Sequence, residues 1–125
     1  MKIMEAIAAA DQLSNNMIGE PIKRAWLSEL DGRIYYEIMQ PCEASGDFSG
    51  YDDTTPSDTE LLIPYPYDSL YVTHLQMEIA RHNSEIPRYE NARIVFNERL
   101  EAFRRWWIRT HESKSSTIHF PIRRY

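Results

Sequence analysis

The stretch from Glu85 to His111 constrains this chain more than any other part of it. Tyr89, Ala92, Phe96, Phe103 and Trp107 recur at helical spacing along one face, and Val95, Leu100 and Trp106 widen that face. Roughly 25 residues at about 1.5 Å of rise per residue span nearly 40 Å. A single helix of that length dominates a chain of 125 residues, which is long enough for one compact core and too short for two ordinary domains.

The remaining elements follow from periodicity and from helix-breaking residues. Ile3, Ile7, Ala10 and Leu13 predict a first helix that breaks at Ser14-Asn15-Asn16. A second helix is expected from Pro21 to Met39, with Ile22, Trp26, Leu30, Ile34 and Ile38 repeating every four residues, Gly32 weakening it and Pro41 ending it. Residues 41–58 are rich in Gly, Ser, Thr, Asp and Pro with no apolar period, which predicts a long acidic loop of a functional or mobile kind. Glu60 to Pro64 reads as an extended apolar segment packed on the helices. Asp68 is the expected N-cap of a third helix that runs to Asn83 with Tyr71, Leu75 and Ile79 inward. Ser84 is expected to cap the last helix, with Pro87 in its first turn. Beyond it, Thr117 to Ile122 alternates like a strand. The fold class is therefore mainly α: a bundle of about four helices, two long ones at the C-terminal end, in a helical domain over residues 1–112 with an extended tail over 113–125.

Composition excludes several function classes. The chain is 42% hydrophobic and 26% charged, which is a globular balance rather than a disordered one. Its 14 Lys and Arg against 19 Asp and Glu give a net charge of −5, so non-specific phosphate binding is not favoured overall. No apolar window is long enough to span a bilayer, and MKIMEAIAAADQL is a poor secretory signal. The one cysteine, Cys42, cannot form an intrachain disulfide, and a cytoplasmic location is expected.

Catalytic and metal-binding patterns are missing. His74, His82, His111 and His119 do not pair at metal-ligand spacing, and they read as solvated or satisfied side chains. Asp47 to Asp58 resembles a calcium loop only in part: Asp52 stands where the turn Gly is needed, and the twelfth residue is not Glu. Cys42 lies in an acidic neighbourhood that disfavours a thiolate. Glu29 with Asp31, or Glu60 with Glu5, could form an acid/base pair, but among 19 carboxylates surface charge is the preferred reading. No cofactor and no metal is expected.

The distinctive cluster is basic and aromatic. Arg99, Arg104, Arg105 and Arg109 interleave with Trp106 and Trp107 on the last helix, and the tail adds Ile118, Phe120 and Ile122. Arg and Trp suit protein interfaces, where they are common hot-spot residues, and they also suit phosphate contact with base stacking. A third reading makes Phe103 and Trp107 core and the arginines complements of a helix C-terminus. The preferred interface comprises Arg99, Arg104, Arg105, Trp106, Arg109, Ile118, Phe120 and Ile122.

Leu61 to Tyr71 (LLIPYPYDSLY), the helix segments Glu85 to Tyr89 and Phe96-Asn97, the aromatic end Trp107 to His111, and Trp26 to Ile34 (WLSELDGRI) carry a resemblance. Together they resemble a family of small helical proteins from the structural-gene clusters of tailed phages and prophages of Gram-positive bacteria, over about Met4 to His111. The tail TIHFPIRRY departs from that pattern in being longer and more strand-like. The resemblance implies a head–tail connector (adaptor) component that forms a ring as a homo-oligomer. It also implies portal and tail or head-completion proteins as partners, passage of DNA through the ring without specific binding, and a place in the host cytoplasm and then the virion. Ring contacts would lie on the last two helices, and docking on Cys42 to Asp58 and Thr117 to Tyr125. The expectation is thus a non-enzymatic assembly protein. The alternatives are a nucleic-acid-binding regulator using the Arg/Trp stretch and a small hydrolase with a site in the acidic loop.

Overall fold

The structure is a computed structural model that describes residues 1–42 and 44–111; Ile118, Phe120, Ile122 and the strand-like reading of the tail lie outside them. The described residues form four α-helices: α1 (Ile3–Leu13), α2 (Glu20–Ile34), α3 (Leu70–His82) and α4 (Ile86–His111). The mainly α expectation holds. α4 is the long helix, with 26 residues, whereas α3 has 13. α3 is the hub, packing on α4, α1 and α2. Its Leu70, Tyr71, Leu75 and Ile79 are fully buried, meeting Ile3, Ala6, Leu27, Ile34 and Phe103 from the surrounding elements.

α2 begins at Glu20 with Pro21 in its first turn, where the missing N–H costs nothing. It continues beyond Ile34 as a π-helical turn, Tyr35–Met39, closed by the Gln40 N–H donating to the Tyr35 carbonyl at 2.7 Å. Its inner face differs from the expected four-residue stripe. Ile22 is 46% exposed and Trp26 half-buried, while Lys23, Arg24, Leu27, Leu30, Asp31, Ile34 and Ile38 are buried. A repeat of four drifts about 40° per step around a helix of 3.6 residues per turn, so Ile22 and Ile38 cannot share a face. The 3-4 alternation of Arg24, Leu27, Asp31, Ile34 and Ile38 stays on one side. Two of those five positions are charged.

Two cap assignments are corrected. Tyr67–Ser69 forms a 3-10 turn that leads into α3, and the Asp68 carboxylate lies 3.4 Å from the Met1 amino group rather than capping the helix. Ser84 does not cap α4. It ends α3 in the left-handed conformation at φ 59°, with its own N–H donating to the Arg81 carbonyl and the Glu85 N–H donating to the Ala80 carbonyl. Those paired bonds are a Schellman closure, usually made with Gly in Ser84's place. The Glu85 carbonyl then accepts the first bond of α4, from the Tyr89 N–H.

The described residues from Gln40 to Pro66 form no regular element apart from one antiparallel bridge, Lys2 with Glu60. That bridge lets the loop satisfy the start of α1. The Ile3 and Met4 N–H groups, orphaned at a helix N-terminus, donate to the Thr59 and Ser57 carbonyls at 3.0 Å each. Leu61 and Ile63 are buried, as the extended-segment expectation required.

Candidate interaction surface

The acidic loop is held to the bundle by polar side chains that α2 buries. The Arg24 guanidinium, 5% exposed, donates to the Asp52 and Thr55 carbonyls at 2.8 and 2.7 Å and to the Ser57 hydroxyl at 2.8 Å. Its Nε donates to Glu20 one turn earlier, so the buried charge is both paired and hydrogen-bonded. One turn of α2 further on, the Ser28 hydroxyl accepts the Tyr51 N–H. Gly50 sits at φ +85° directly above it, and a Cβ there would lie 2.7 Å from the Ser28 oxygen. Farther along, Tyr35 donates to the Ser45 and Gly46 carbonyls, and Tyr36 exchanges hydrogen bonds with the Phe48 backbone.

Asp31 lies beneath this loop and is fully buried. Its Oδ1 accepts the Tyr71 hydroxyl at 2.5 Å, and its Oδ2 accepts the Tyr51 hydroxyl at 2.6 Å and the Leu62 N–H at 3.1 Å. The Tyr71 oxygen in turn accepts the Ile63 N–H at 2.9 Å. One carboxylate thus ties α2 to the loop, to the extended segment and to α3. Burial pushes its pKa up, and the three hydrogen bonds pull against that without cancelling it. Burial and the adjacent carboxylate push both phenols up as well. The surface-charge reading of Asp31 is therefore overturned, and so is its pairing with exposed Glu29 as an acid/base couple.

His74 is also buried. Its Nε2 lies 3.3 Å from the Trp26 carbonyl, its Nδ1 has no partner among the described residues, and burial pushes its pKa down. A neutral ring packed on Phe96 is the consequence. Among the described residues, no group of three or more His, Cys, Asp or Glu is placed to hold a metal ion. No described helix is long and apolar enough to cross a membrane.

α4 presents the surface that remains. Only Phe96 and Phe103 of its 26 residues are buried, while Ile86, Ile94 and Val95 are 68, 52 and 37% exposed. Tyr89, Ala92, Leu100 and Trp107, expected in the core, are half-buried. Trp106 is half-buried too, its ring 5.3 Å from Tyr67 and 6.1 Å from Phe103. Trp107 is covered on one face by His111, stacked at 3.6 Å. Arg104, Arg105 and Arg109 are exposed, the first two within 4 Å of Glu101. Arg99 is fixed to the start of α3, donating to the Thr73 hydroxyl at 2.6 Å. The structure thus keeps the arginines on one helix but turns the indoles inward toward Tyr67 and Phe103.

Two grooves flank α4. One, of about 350 Å³, runs between α4 and the end of α2, with Met77, Tyr89 and Leu100 among its walls. The other, of about 440 Å³, lies above α3, between α4 and the last turn of α1. Leu13, Ala80, Ala92 and Val95 give it apolar lining, and Arg88, Arg99 and Glu85 supply charged groups. Arg88 is exposed and has no ion-pair partner among the described residues. It was missed in the sequence, although its spacing to Ala92, Val95 and Arg99 places all four on one helical face. Comparison with protein-family models, curated proteins and solved structures finds no match to this chain.

Proposed function

We propose that this chain is a non-enzymatic assembly protein that acts through protein–protein contacts as a homo-oligomer. Narrower still, we propose that it is a head–tail connector component of a tailed phage or prophage. The observation that carries the general reading is the outer face of α4, where Ile86, Ile94 and Val95 are exposed beside Arg88, Arg104, Arg105 and Arg109. The inner face of α4 packs on α3, with Phe96 and Phe103 buried and Tyr89, Ala92, Leu100, Trp106 and Trp107 half-buried, as a helix packed on one side of a domain does. The outer face is available to another surface, and it exposes the Ile, Val and Arg side chains that such contacts use.

The narrower reading draws on the resemblance of LLIPYPYDSLY and the α4 segments to the small proteins of phage structural-gene clusters. It carries with it the portal and the tail or head-completion proteins as partners, and residence in the host cytoplasm before the virion. The inward turn of Trp106 and Trp107 supports it over the nucleic-acid regulator, because stacking on bases needs exposed rings. Co-expression with the portal protein encoded in the same gene cluster tests it. A stable complex with several copies of this chain per portal ring is expected. A chain that binds neither the portal nor itself would contradict the reading.

A further inference from the structure

The charges of this chain are segregated along its length. From Ile34 to Ala80 there are nine Asp and Glu and no Lys or Arg, whereas from Arg81 to His111 there are seven Arg and four Glu. Where the two sets adjoin they meet, Arg81 pairing with Glu78, but among the described residues no ion pair joins the loop carboxylates to α4. The acidic ridge, with Asp53 and Asp58 exposed and free of the loop's internal hydrogen bonds, packs at the N-terminal end of α1 through the Ser57 and Thr59 carbonyls. The groove beside α4, lined by Arg88, Arg99 and Glu85, reaches Leu13 and Ser14 at the opposite end of α1, while its Arg99 end lies at Thr73 in the first turn of α3. The 11 residues of α1 put about 16 Å between the ridge's anchor and the Leu13 end of the groove, where Arg88 lies.

We propose that the groove between α3 and α4 receives the acidic ridge of a second copy of this chain, with Arg88 and Arg99 facing Asp53 and Asp58. This rests on the assembly reading above and specifies its contact. Because the two surfaces differ, the contact is heterologous, and repetition of it closes a ring or extends a filament. The ridge is pre-shaped for docking: Arg24 holds it from beneath through Asp52, Thr55 and Ser57, so little loop ordering remains to oppose association. The apolar walls of the groove at Val95 and Ala92 exclude water around the charge pairs, and opposite charge fixes the direction of docking.

Charge reversal in the full-length protein tests the contact. The loop variant is Asp53→Lys with Asp58→Lys; the groove variant is Arg88→Glu with Arg99→Glu, and Arg88→Glu alone serves if loss of the Arg99–Thr73 bond unfolds the chain. Sedimentation at low salt reads self-association, and helical circular dichroism checks folding. Each one-sided variant is expected to weaken association about tenfold or more, and a 1:1 mixture of the two, or both sets in one chain, restores it. Raising the salt from about 0.05 to 0.5 M weakens the wild-type contact. Association that persists unchanged in both variants overturns this contact and leaves the assembly reading standing. A wild-type chain that stays monomeric at every concentration overturns both. DNA binding that disappears with the groove variant, without any self-association, assigns the basic face to nucleic acid instead.

Discussion

A carboxylate without a cation beside it is costly to bury, and Asp31 is buried with only hydroxyl and amide donors around it. Its hydrogen bonds offset part of that cost, which makes each donor consequential. Tyr71→Phe removes one oxygen that both donates to Asp31 and accepts the Ile63 N–H. A loss of about 2 kcal/mol is expected, read as a lower urea midpoint at fixed protein concentration. The pH dependence has a definite sign. Because the folded-state pKa of Asp31 is raised above its ordinary 3.8, the folded chain binds its proton more readily than the unfolded chain does. Its contribution to stability is fully present below 3.8 and is lost as pH rises through the elevated value. Asp11 and Asp52 are held low and act oppositely, so wild type must be compared with Asp31→Asn. The stability of wild type relative to that variant should increase as pH falls from neutral toward 4; a pH-independent difference would contradict the raised pKa. None of this was legible in the sequence, where Asp31 is one carboxylate among 19. The one available signal is its place between Leu27 and Ile34 in the 3-4 stripe of α2.

At the scale of elements, the helices were legible because period and breakers act locally. α1 falls at its expected bounds, and the inward residues of α3 are Tyr71, Leu75 and Ile79 as read. The turns were less legible, because the conformation of Ser84 depends on how α3 and α4 pack and not on which residue could cap. A left-handed non-Gly residue costs about 1 kcal/mol, so Ser84→Gly should raise stability by about that amount; an unchanged or lower urea midpoint would count against the Schellman closure. Phe103 joins α4 to the core beside Tyr67 and Trp106. Phe103→Ala should cost about 3–5 kcal/mol, measured in the same way. The loop was the least legible element. Its composition suggests a mobile segment, but its anchors are side chains on α2, 20 or more residues away for Asp52, Thr55 and Ser57. Arg24→Met keeps the aliphatic stem and removes the donors. Hydrogen exchange at the Thr55 and Thr59 amides should then accelerate, while the buried stretch of α3 around Leu75 stays protected.

At the scale of the whole molecule, the bundle leaves the outer face of its longest helix exposed, with charge of opposite sign on that helix and on a pinned loop. The sequence displayed the arginines of α4 but not their surroundings, since the inward turn of Trp106 and the groove at Arg88 both depend on how α1, α3 and α4 meet. Arg24 links the scales: it is buried beneath the ridge, and Arg24→Met should weaken self-association by loosening the ridge it supports. The most direct measurement is the mass of the full chain in solution, by light scattering across a wide concentration range at low salt. A discrete species at a fixed multiple of 14.8 kDa, populated increasingly with concentration, is the result an assembly protein requires. A single 14.8 kDa species at every concentration would contradict it.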